Sequence, residues 1–287
     1  MLQYRLKIGC EIMNNFSVNL DLGLSTSKVL IYDIKYGLIF RKIYDNDKYH
    51  ISDIEKNLKA IIDRHDLDIK GIKSIHVTGI GASQMPETLF GVKIKLCDEL
   101  ECIGYGGVKL ADVKDGLVIS MGTGTAFINV KDNVVSHHGG MGLGGGTIMG
   151  LAKQLSHTSH FPSIVNEALH GHNNKSDLII DVDYTNSEKK DVLTYITASN
   201  LGNFKDDSVT LPDFLYGSLK MVIQNICVTA AILAKNLDQE NIILIGSVTM
   251  FPHTQTIASE VGILFDKKFI VPKNAPYATV YGALYNK

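Results

Sequence analysis

The feature that most restricts how this chain folds is a strand-and-turn pattern that occurs twice along it. Apolar and β-branched runs separated by turn-forming residues occupy residues 18–22, 28–33 and 38–44. The pattern starts again at Asp115, with runs at residues 116–120, 125–130 and 133–136. Runs of this length and composition predict strands. Each copy therefore predicts a three-stranded meander, and the chain is expected to form two similar halves.

Helical patterns follow both meanders. Apolar residues spaced three and four apart between Ile51 and His65 mark one helix face, with Ser52 as the expected cap, and a strand at residues 74–79 follows. Beyond the second meander the chain predicts helices at residues 147–156, 215–236 and 279–285, and a buried strand at residues 241–246. Strands that alternate with helices favour an α/β fold.

Charge and composition argue against several classes of function. The formal net charge of −2 supplies no field that attracts nucleic acid or an anionic membrane surface. No run of about 18 apolar residues occurs, so no transmembrane helix is expected. Arg5, Lys7 and Glu11 interrupt the start of the chain, which favours an N-terminal extension over residues 1–15 rather than a secretory signal. The four cysteines lack CxxC or zinc spacing, which fits a reducing cytoplasm.

A first candidate phosphate loop, Asp21–Lys28, lies between two predicted strands. Phosphate binding needs backbone N–H groups from a tight turn, a cation, and an acid that holds Mg²⁺. Gly23 and residues 25–27 offer the N–H groups, Lys28 the cation and Asp21 the metal contact. A plain hairpin turn followed by an exposed lysine explains the same residues.

Two further glycine-containing segments come from the second half. Gly122–Thr125 directly follows the strand that opens the second meander, as the first loop does in the first, so the two turns are expected to face each other across a cleft. Alone, this segment is also compatible with a simple turn. Gly139–Gly146 holds six glycines in eight residues before an apolar helix. A glycine-rich turn and a helix N-terminus together suit nucleotide phosphates, although a flexible linker is the alternative.

The segment Cys97–Cys102 places three carboxylates at the start of a predicted helix. Acids in a first helical turn ordinarily only complement the helix dipole. Phosphoryl transfer to an alcohol, however, benefits from a carboxylate that accepts the hydroxyl proton. Gly246–Ser247, after a buried strand, is a further candidate for nucleoside contact or simply the end of that strand.

At these segments the chain resembles the type II (fumble-like) pantothenate kinases, from about Asn19 to its C-terminus. The stretches that carry the resemblance are Asp98–Cys102, Met121–Thr125, Gly142–Thr147 with Gly150–Leu151, Thr197–Gly202, Ile245–Ser247 and Tyr281–Tyr285. The resemblance implies a two-lobed actin-like ATPase fold (a duplicated ribonuclease H-like fold) and a cytoplasmic homodimer. It also implies transfer of the γ-phosphate of ATP, with Mg²⁺, to the primary alcohol of a small-molecule acceptor, pantothenate.

The resemblance also implies roles for individual residues. The family's catalytic glutamate falls on Glu99, because its spacing is matched by Leu100, Glu101 and Gly106. The implied nucleotide-binding residues are Asp21 (also the metal contact), Gly23, Ser25, Thr26, Ser27, Lys28, Thr123, Gly142, Leu143, Gly144, Gly145, Gly146, Phe161, Gly246 and Ser247. The implied acceptor-binding residues are Glu99, Thr123, Ala126 and His137.

Departures from the family pattern concern the first loop and the acceptor pocket. Leu24 and Ser25 follow Gly23 where the family has a second glycine and a threonine, and phosphate binding is expected to survive that change. His137 stands where the family has a carboxylate-binding arginine, and Ala126 replaces a serine. Losing a bidentate, charged partner costs about 1.5–3 kcal/mol, or roughly ten- to hundredfold in affinity. The acceptor is therefore either pantothenate or a related alcohol without the carboxylate, such as pantetheine.

The expected organisation is an extension at residues 1–15, a first lobe at 16–114 and a second lobe at 115–287, with the terminal helix able to pack back on the first lobe. The long apolar helix at residues 215–236 is either a dimer interface or buried within its own lobe. A third reading of the function is an actin-like nucleotide-binding protein that transfers no phosphate to a small molecule.

Overall fold

A computed structural model describes residues 15–46, 53–181, 195–203 and 208–285 of the chain. The chain divides into two compact units: Met1–Cys102 together with Ala283–Lys287, and Ile103–Gly282. The predicted lobe boundary between residues 114 and 115 lies within the second unit. The predicted extension lies outside the described residues, apart from its last residue, Asn15.

The first unit is built on a six-stranded sheet. Its strands are β1 (Phe16–Leu22), β2 (Thr26–Asp33), β3 (Gly37–Asp45), β4 (Ile72–Thr78), β5 (Thr88–Leu89) and β6 (Val92–Leu96). They lie in the order β3-β2-β1-β4-β6-β5. The meander β1–β2–β3 is antiparallel, whereas β1 pairs with β4 in parallel. The first predicted meander and the strand after it are therefore confirmed.

Alternation along β1 gives the first sheet an apolar face and a polar face. Phe16, Val18, Leu20 and Leu22 are buried in one core cluster with residues of the helix α1 (Ile54–Arg64). The intervening side chains point to the opposite face, because successive strand residues alternate, and this brings Asp21 to the polar side. The predicted cap of α1 was wrong: Asp53 occupies the N-cap position, without a side-chain capping bond, and Ser52 lies outside the described residues.

The second unit repeats the strand order of the first. Its main sheet contains β7 (Gly116–Met121), β8 (Thr125–Lys131), β9 (Val134–Met141), β12 (Asn241–Ile245) and β13 (Lys268–Ile270). Read from β9, the order is β9-β8-β7-β12-β13. The antiparallel meander β7–β8–β9 and the parallel pair β7–β12 correspond to β1–β2–β3 and β1–β4 of the first unit. A separate antiparallel pair joins β10 (Leu178–Asp181) to β11 (Tyr195–Ser199).

The remaining helices are α2 (Glu99–Leu110), α3 (Gly145–Ser156), α4 (Phe161–Ala168), α5 (Asn173–Ser176), α6 (Leu211–Asn236), α7 (Thr254–Phe265) and α8 (Ala278–Tyr285). The helix α2 begins in the first unit and continues into the second. Asp98 caps α2, since its Oδ1 accepts a hydrogen bond from Glu101 N–H at 2.9 Å. Glu99 is therefore held in the first turn of a capped helix.

The helix α6 is the central helix of the second unit. Thr210 caps its start, and the side chains of Thr210 and Asp213 bond each other's backbone N–H groups. By length and composition α6 is apolar enough to cross a membrane, but 61% of its most apolar stretch is buried. Most of its apolar residues belong to the core cluster of the second unit. Of the two readings left open for this helix, burial within its own unit is the one the contacts favour.

Candidate functional site

The first candidate loop surrounds an ion pair at the carboxyl end of β1. Asp21 and Lys28 are register partners across the β1–β2 hairpin, and Lys28 Nζ donates to Asp21 Oδ2 at 2.9 Å. Both side chains are buried, with relative exposures of 7% for Asp21 and 11% for Lys28. The lysine is therefore not the exposed residue of a plain hairpin, and each charge is neutralised locally by the other.

Asn46, which directly follows β3, holds the turn between β1 and β2. The turn itself closes through a hydrogen bond from Gly23 N–H to Thr26 O at 3.1 Å. Asn46 Nδ2 donates to Gly23 O at 2.7 Å and to Leu24 O at 3.0 Å. Sequence reasoning missed this residue, because nothing local to residue 46 marks a contact with a turn more than 20 positions away.

Thr78 and Gly79 lie beside Asp21, at the carboxyl end of the neighbouring parallel strand β4. Gly79 has a φ of +89°, and a Cβ placed on it would lie 2.7 Å from Leu22 O and 2.8 Å from Asp21 Oδ1. Only glycine fits that approach without strain. The Thr78 hydroxyl is buried, and it has no hydrogen-bond partner in the part of the chain that the structure describes. The sequence placed both residues at a strand end and assigned neither to the site.

Glu99 is a half-buried carboxylate close enough to the first loop to feel its charges. Burial raises the pKa of Glu99 above its ordinary range, the Asp21 charge raises it further, and Lys28 partly offsets these effects. Asp98 adds a smaller upward effect on the same pKa. A carboxylate whose proton affinity is raised in this way suits a general base that must accept a proton near neutral pH.

The oxygen atoms that the first unit offers suit a Mg²⁺ ion that is coordinated mainly by a bound substrate. Among the described residues, no three His, Cys, Asp or Glu side chains gather into a protein-only metal cage. The Asp21 carboxylate and the Thr78 hydroxyl, for which the described residues supply no hydrogen-bond partner, are oxygen donors at one end of the sheet. Mg²⁺ is commonly bound by one or two carboxylates together with substrate phosphates and water, and this donor set is consistent with that mode.

The second and third predicted glycine segments come together in the second unit. Gly145 N–H donates to Gly122 O at 2.7 Å, and Gly146 N–H donates to Thr123 O at 2.9 Å. A Cβ on Gly144 would lie 2.6 Å from Thr123 O, so the start of α3 packs directly on the β7–β8 turn. Thr125 Oγ1 also donates to Leu143 O at 2.8 Å.

The glycine-rich segment Gly139–Gly146 is not one loop, as the sequence suggested. Gly139–Met141 forms the end of β9, and α3 begins at Gly145. The loop proper is therefore Gly142–Gly144. The N–H groups of Gly145 and Gly146, expected as phosphate donors, are engaged by the carbonyls of the β7–β8 turn. Paired strands override the loop tendency of glycine because the ladder satisfies the backbone hydrogen bonds.

Gly246 and Ser247 complete the cluster at the carboxyl end of β12. Gly246 has a φ of +94°, and a Cβ on it would lie 2.5 Å from Met121 O. Its N–H donates to Ala275 O at 3.0 Å, and its carbonyl accepts from Thr249 N–H at 3.1 Å. Gly79 makes the same backbone approach to β1 in the first unit, and its carbonyl accepts from Ala82 N–H at 3.0 Å. In both units, therefore, a glycine with a positive φ follows a parallel strand and packs against the neighbouring strand, and both units also share a strand order.

Three residues predicted near the nucleotide or the acceptor belong to α4 and to the second meander of the second unit. Phe161 begins α4 and is partly buried against the core of the unit. Ala126 and His137 lie on the adjacent strands β8 and β9, opposite Gly140 and Ile128 respectively. The His137 side chain is exposed. These positions leave the predicted roles of the three residues as predictions.

Comparison with known proteins adds two findings on sequence. Residues 108–261 match the family model described as Fumble. Type II pantothenate kinase from Bacillus anthracis is 27% identical over 277 residues, which cover 93% of this chain and 96% of that protein. Type II pantothenate kinase from Staphylococcus epidermidis is 25% identical over 253 residues, which cover 84% of this chain and 93% of that protein.

Solved structures similar to this chain include two with nucleotide analogues bound. The activator of 2-hydroxyisocaproyl-CoA dehydratase from Clostridium difficile with bound ADPNP gives a TM-score of 0.62 at 15% identity and covers 94% of each chain. A ROK family glucokinase from Streptomyces griseus in complex with glucose and AMPPNP gives 0.58 at 12% identity, covering 94% of this chain and 98% of that one. Identities this low bear on the fold alone. The actin-like ATPase fold that the resemblance implied is confirmed.

Proposed function

Because this chain belongs to the Fumble family, we propose that it is an ATP-dependent kinase that phosphorylates the primary alcohol of pantothenate, the first step toward coenzyme A. The observation that carries the proposal is the position of Glu99. It is half-buried, its pKa is raised, and it lies within the electrostatic reach of the Asp21–Lys28 loop. A proton acceptor next to a cation and a phosphate-type turn is what transfer to an alcohol requires.

In the proposed reaction, Glu99 accepts the proton of the acceptor hydroxyl as the oxygen attacks the γ-phosphorus of ATP. The bond from that phosphorus to the bridging oxygen breaks, and ADP leaves with the electron pair. Lys28 offsets charge on the phosphates and is itself oriented by Asp21. Asp21 would hold Mg²⁺ when the ion is bound with ATP, and the ion would supply further charge neutralisation.

The second unit supplies the groups proposed to hold the nucleotide. The Gly122–Gly124 turn, the Gly142–Gly144 loop and Gly246–Ser247 lie at the carboxyl ends of the parallel strands β7 and β12. Ligands of α/β sheets bind in that location. Since the Gly145 and Gly146 N–H groups are engaged internally, the proposed phosphate contacts fall to the loop and to Thr123. Binding of one triphosphate by the loops of both units stays a prediction from the sequence.

The Glu99→Gln variant tests this function most directly. It keeps the shape of the side chain but cannot accept the proton, so kcat for acceptor phosphorylation is expected to fall by about 10²–10⁴-fold. Glu101→Gln is the matched control, because Glu101 lies in the same helical turn with an exposed side chain. The kcat of this variant is expected to stay within about threefold of the parent value. A Glu99→Gln enzyme that turns over at the parent rate removes Glu99 as the base.

The acceptor pocket differs from the family pattern, because His137 and Ala126 replace the expected polar contacts. His138, the next residue along β9, has its Nε2 3.1 Å from Ser136 Oγ. The exposed His137 is therefore the better candidate for binding the carboxylate of pantothenate. Histidine offers fewer donors than arginine and is only partly charged near neutral pH. Pantetheine, which lacks the carboxylate, is therefore the second candidate acceptor. The ratio of kcat/KM for pantothenate and pantetheine decides between them.

A protein that binds nucleotide without transferring phosphate is the outcome that would replace the kinase proposal. It is identified if the parent chain binds MgATP, yet no acceptor in a panel of small alcohols becomes phosphorylated. A cytoplasmic homodimer remains part of the proposal. Since α6 is mostly buried, the surface that it offers a second subunit is limited to its exposed residues Asn225, Thr229, Ile232, Lys235 and Asn236. Sedimentation tests the stoichiometry.

A further inference from the structure

Asn46 forms hydrogen bonds with several residues of the β1–β2 turn. Its two Nδ2 hydrogens go to Gly23 O at 2.7 Å and Leu24 O at 3.0 Å. Its backbone N–H donates to Ser25 O at 3.1 Å. Its Oδ1 accepts a hydrogen bond from Ser27 Oγ at 2.7 Å. One residue outside the hairpin therefore engages the carbonyls of three consecutive turn residues and also the side chain at the start of β2.

These contacts determine which way the turn presents its N–H groups. In a planar trans peptide the C=O and the following N–H point in opposite directions. Drawing the carbonyls of residues 23, 24 and 25 toward Asn46 turns the N–H groups of Leu24, Ser25 and Thr26 to the other side. Successive N–H groups that converge in a turn form a concavity that binds anions.

Packing does not hold the turn in this shape. Leu24, at its tip, is 69% exposed, so the side chain there adds little burial energy. The turn closes through its own hydrogen bond from Gly23 N–H to Thr26 O, but that bond leaves the orientation of the peptide groups between them unfixed. The hydrogen bonds from Asn46 to the carbonyls of Gly23 and Leu24 orient these peptide groups.

We propose that Asn46 is a positioning residue for nucleotide binding, which orders the turn so that its N–H groups face the phosphates. This inference rests on the proposed function only in taking the ligand to be a nucleoside triphosphate. Asn46 itself touches neither the phosphates nor the reacting atoms. Its loss is therefore expected to weaken nucleotide binding far more than it slows the chemical step.

The chain offers a matched control at the opposite end of β2. Asp33 Oδ1 accepts hydrogen bonds from Lys35 N–H at 2.7 Å and Tyr36 N–H at 2.8 Å. It fixes the β2–β3 turn with one side chain, as Asn46 fixes the β1–β2 turn, but has no part in the predicted site. Asp33→Ala therefore removes a comparable structural contact without disturbing the phosphate loop.

The test is calorimetric titration of Mg·AMPPNP into the parent, Asn46→Ala, Asn46→Ser and Asp33→Ala proteins, with a thermal melt of each. Asn46→Ala is expected to raise the Kd at least about tenfold, the effect of losing one or two ordinary hydrogen bonds. Asn46→Ser keeps one short donor and is expected to fall between Asn46→Ala and the parent. Asp33→Ala is expected to bind within about twofold of the parent. In turnover assays, Asn46→Ala raises the KM for ATP while kcat at saturating ATP stays within about threefold.

A Kd for Asn46→Ala equal to that of Asp33→Ala overturns the inference, as does a loss confined to kcat. If Asn46→Ala unfolds at the assay temperature, Asn46→Ser decides on the same two criteria. Failure of the proposed function looks different: the parent binds Mg·AMPPNP and responds to the Asn46 variants, yet phosphorylates neither pantothenate nor pantetheine. A parent chain that binds no nucleotide overturns both.

Discussion

At the scale of single residues, the surroundings of Glu99 determine the pH at which it can act. Burial and the Asp21 charge raise its pKa above the ordinary value of about 4.3, and Lys28 opposes them. A base acts in its ionised form, so kcat is expected to rise with pH through this raised pKa. The acid limb of the pH profile of kcat should therefore lie at a higher pH than an ordinary glutamate would give. A pH profile at saturating substrates measures it. Glu101→Gln should keep the limb, whereas a limb at the ordinary glutamate value would contradict the assignment.

The buried pair of Asp21 and Lys28 gives a second prediction at this scale. Lys28→Met leaves the Asp21 carboxylate buried without its partner, which should lower the free energy of unfolding by about 3–5 kcal/mol. The double variant Asp21→Asn with Lys28→Met removes both charges and is expected to recover most of that loss. Urea denaturation measures each change.

An exposed ion pair provides the control for the prediction about the buried pair. Lys114 and Asp132 are 3.5 Å apart, but their side chains are 69% and 76% exposed. Lys114→Met should therefore change the free energy of unfolding by no more than about 1 kcal/mol. Equal effects at the two lysines would mean that the Asp21–Lys28 pair is not desolvated as its burial indicates.

Residue type revealed part of the site and contact geometry revealed the rest. Asp21, Lys28 and Glu99 are recognisable in the sequence because charged groups beside a tight turn or a helix start suggest phosphate chemistry. Asn46 and Gly79 are not, since each acts on a turn or strand far away in sequence. Their roles depend on the pairing of β2 with β3 and of β1 with β4, which local periodicity does not specify.

At the scale of secondary-structure elements, the meander strands and the strands β4 and β12 were predicted from their apolar and β-branched runs, whereas β5, β6, β10, β11 and β13 were not predicted. Among the predicted strands, β9 extends beyond its predicted end, through Gly139 and Gly140 to Met141. Glycine carries no side chain to record the alternation, so a paired strand and a loop look alike there. The same limitation hid the early start of α3 at Gly145.

The glycine at the end of β12 leads to a prediction about this element. Gly246→Ala adds a Cβ that would meet Met121 O at 2.5 Å in a backbone with a φ of +94°. We expect a loss of about 1–3 kcal/mol in the free energy of unfolding, together with weaker nucleotide binding as the turn after β7 shifts. Thermal and urea unfolding measure the first effect, and titration with Mg·AMPPNP measures the second.

Gly139 separates the two causes of that loss. It also has a positive φ, of +105°, but a Cβ placed there meets nothing within 4 Å. Gly139→Ala therefore reports conformational strain alone, and Gly246→Ala reports strain and close approach together. Similar losses for the two variants would show that the approach to Met121 is looser than the structure indicates.

At the scale of the whole molecule, the two units share a strand order and a positive-φ glycine that packs against the neighbouring strand. The duplication was visible in the sequence because each copy opens with the same strand-and-turn pattern. The change from one unit to the next at Cys102, inside α2, was not, because an uninterrupted helical pattern carries no sign of a boundary.

The repeat makes a prediction that neither unit can test alone. If both predicted loops serve one triphosphate, Mg·AMPPNP should slow amide hydrogen exchange in peptides covering residues 22–28 and also in those covering residues 122–124 and 142–146. The turn at residues 34–36, at the far end of the first sheet, is the internal control and should exchange at an unchanged rate. Protection confined to the second unit would show that the Asp21–Lys28 loop binds no phosphate. The proposed catalytic use of Lys28 would then fail, because a lysine that offsets no phosphate charge cannot stabilise its transfer.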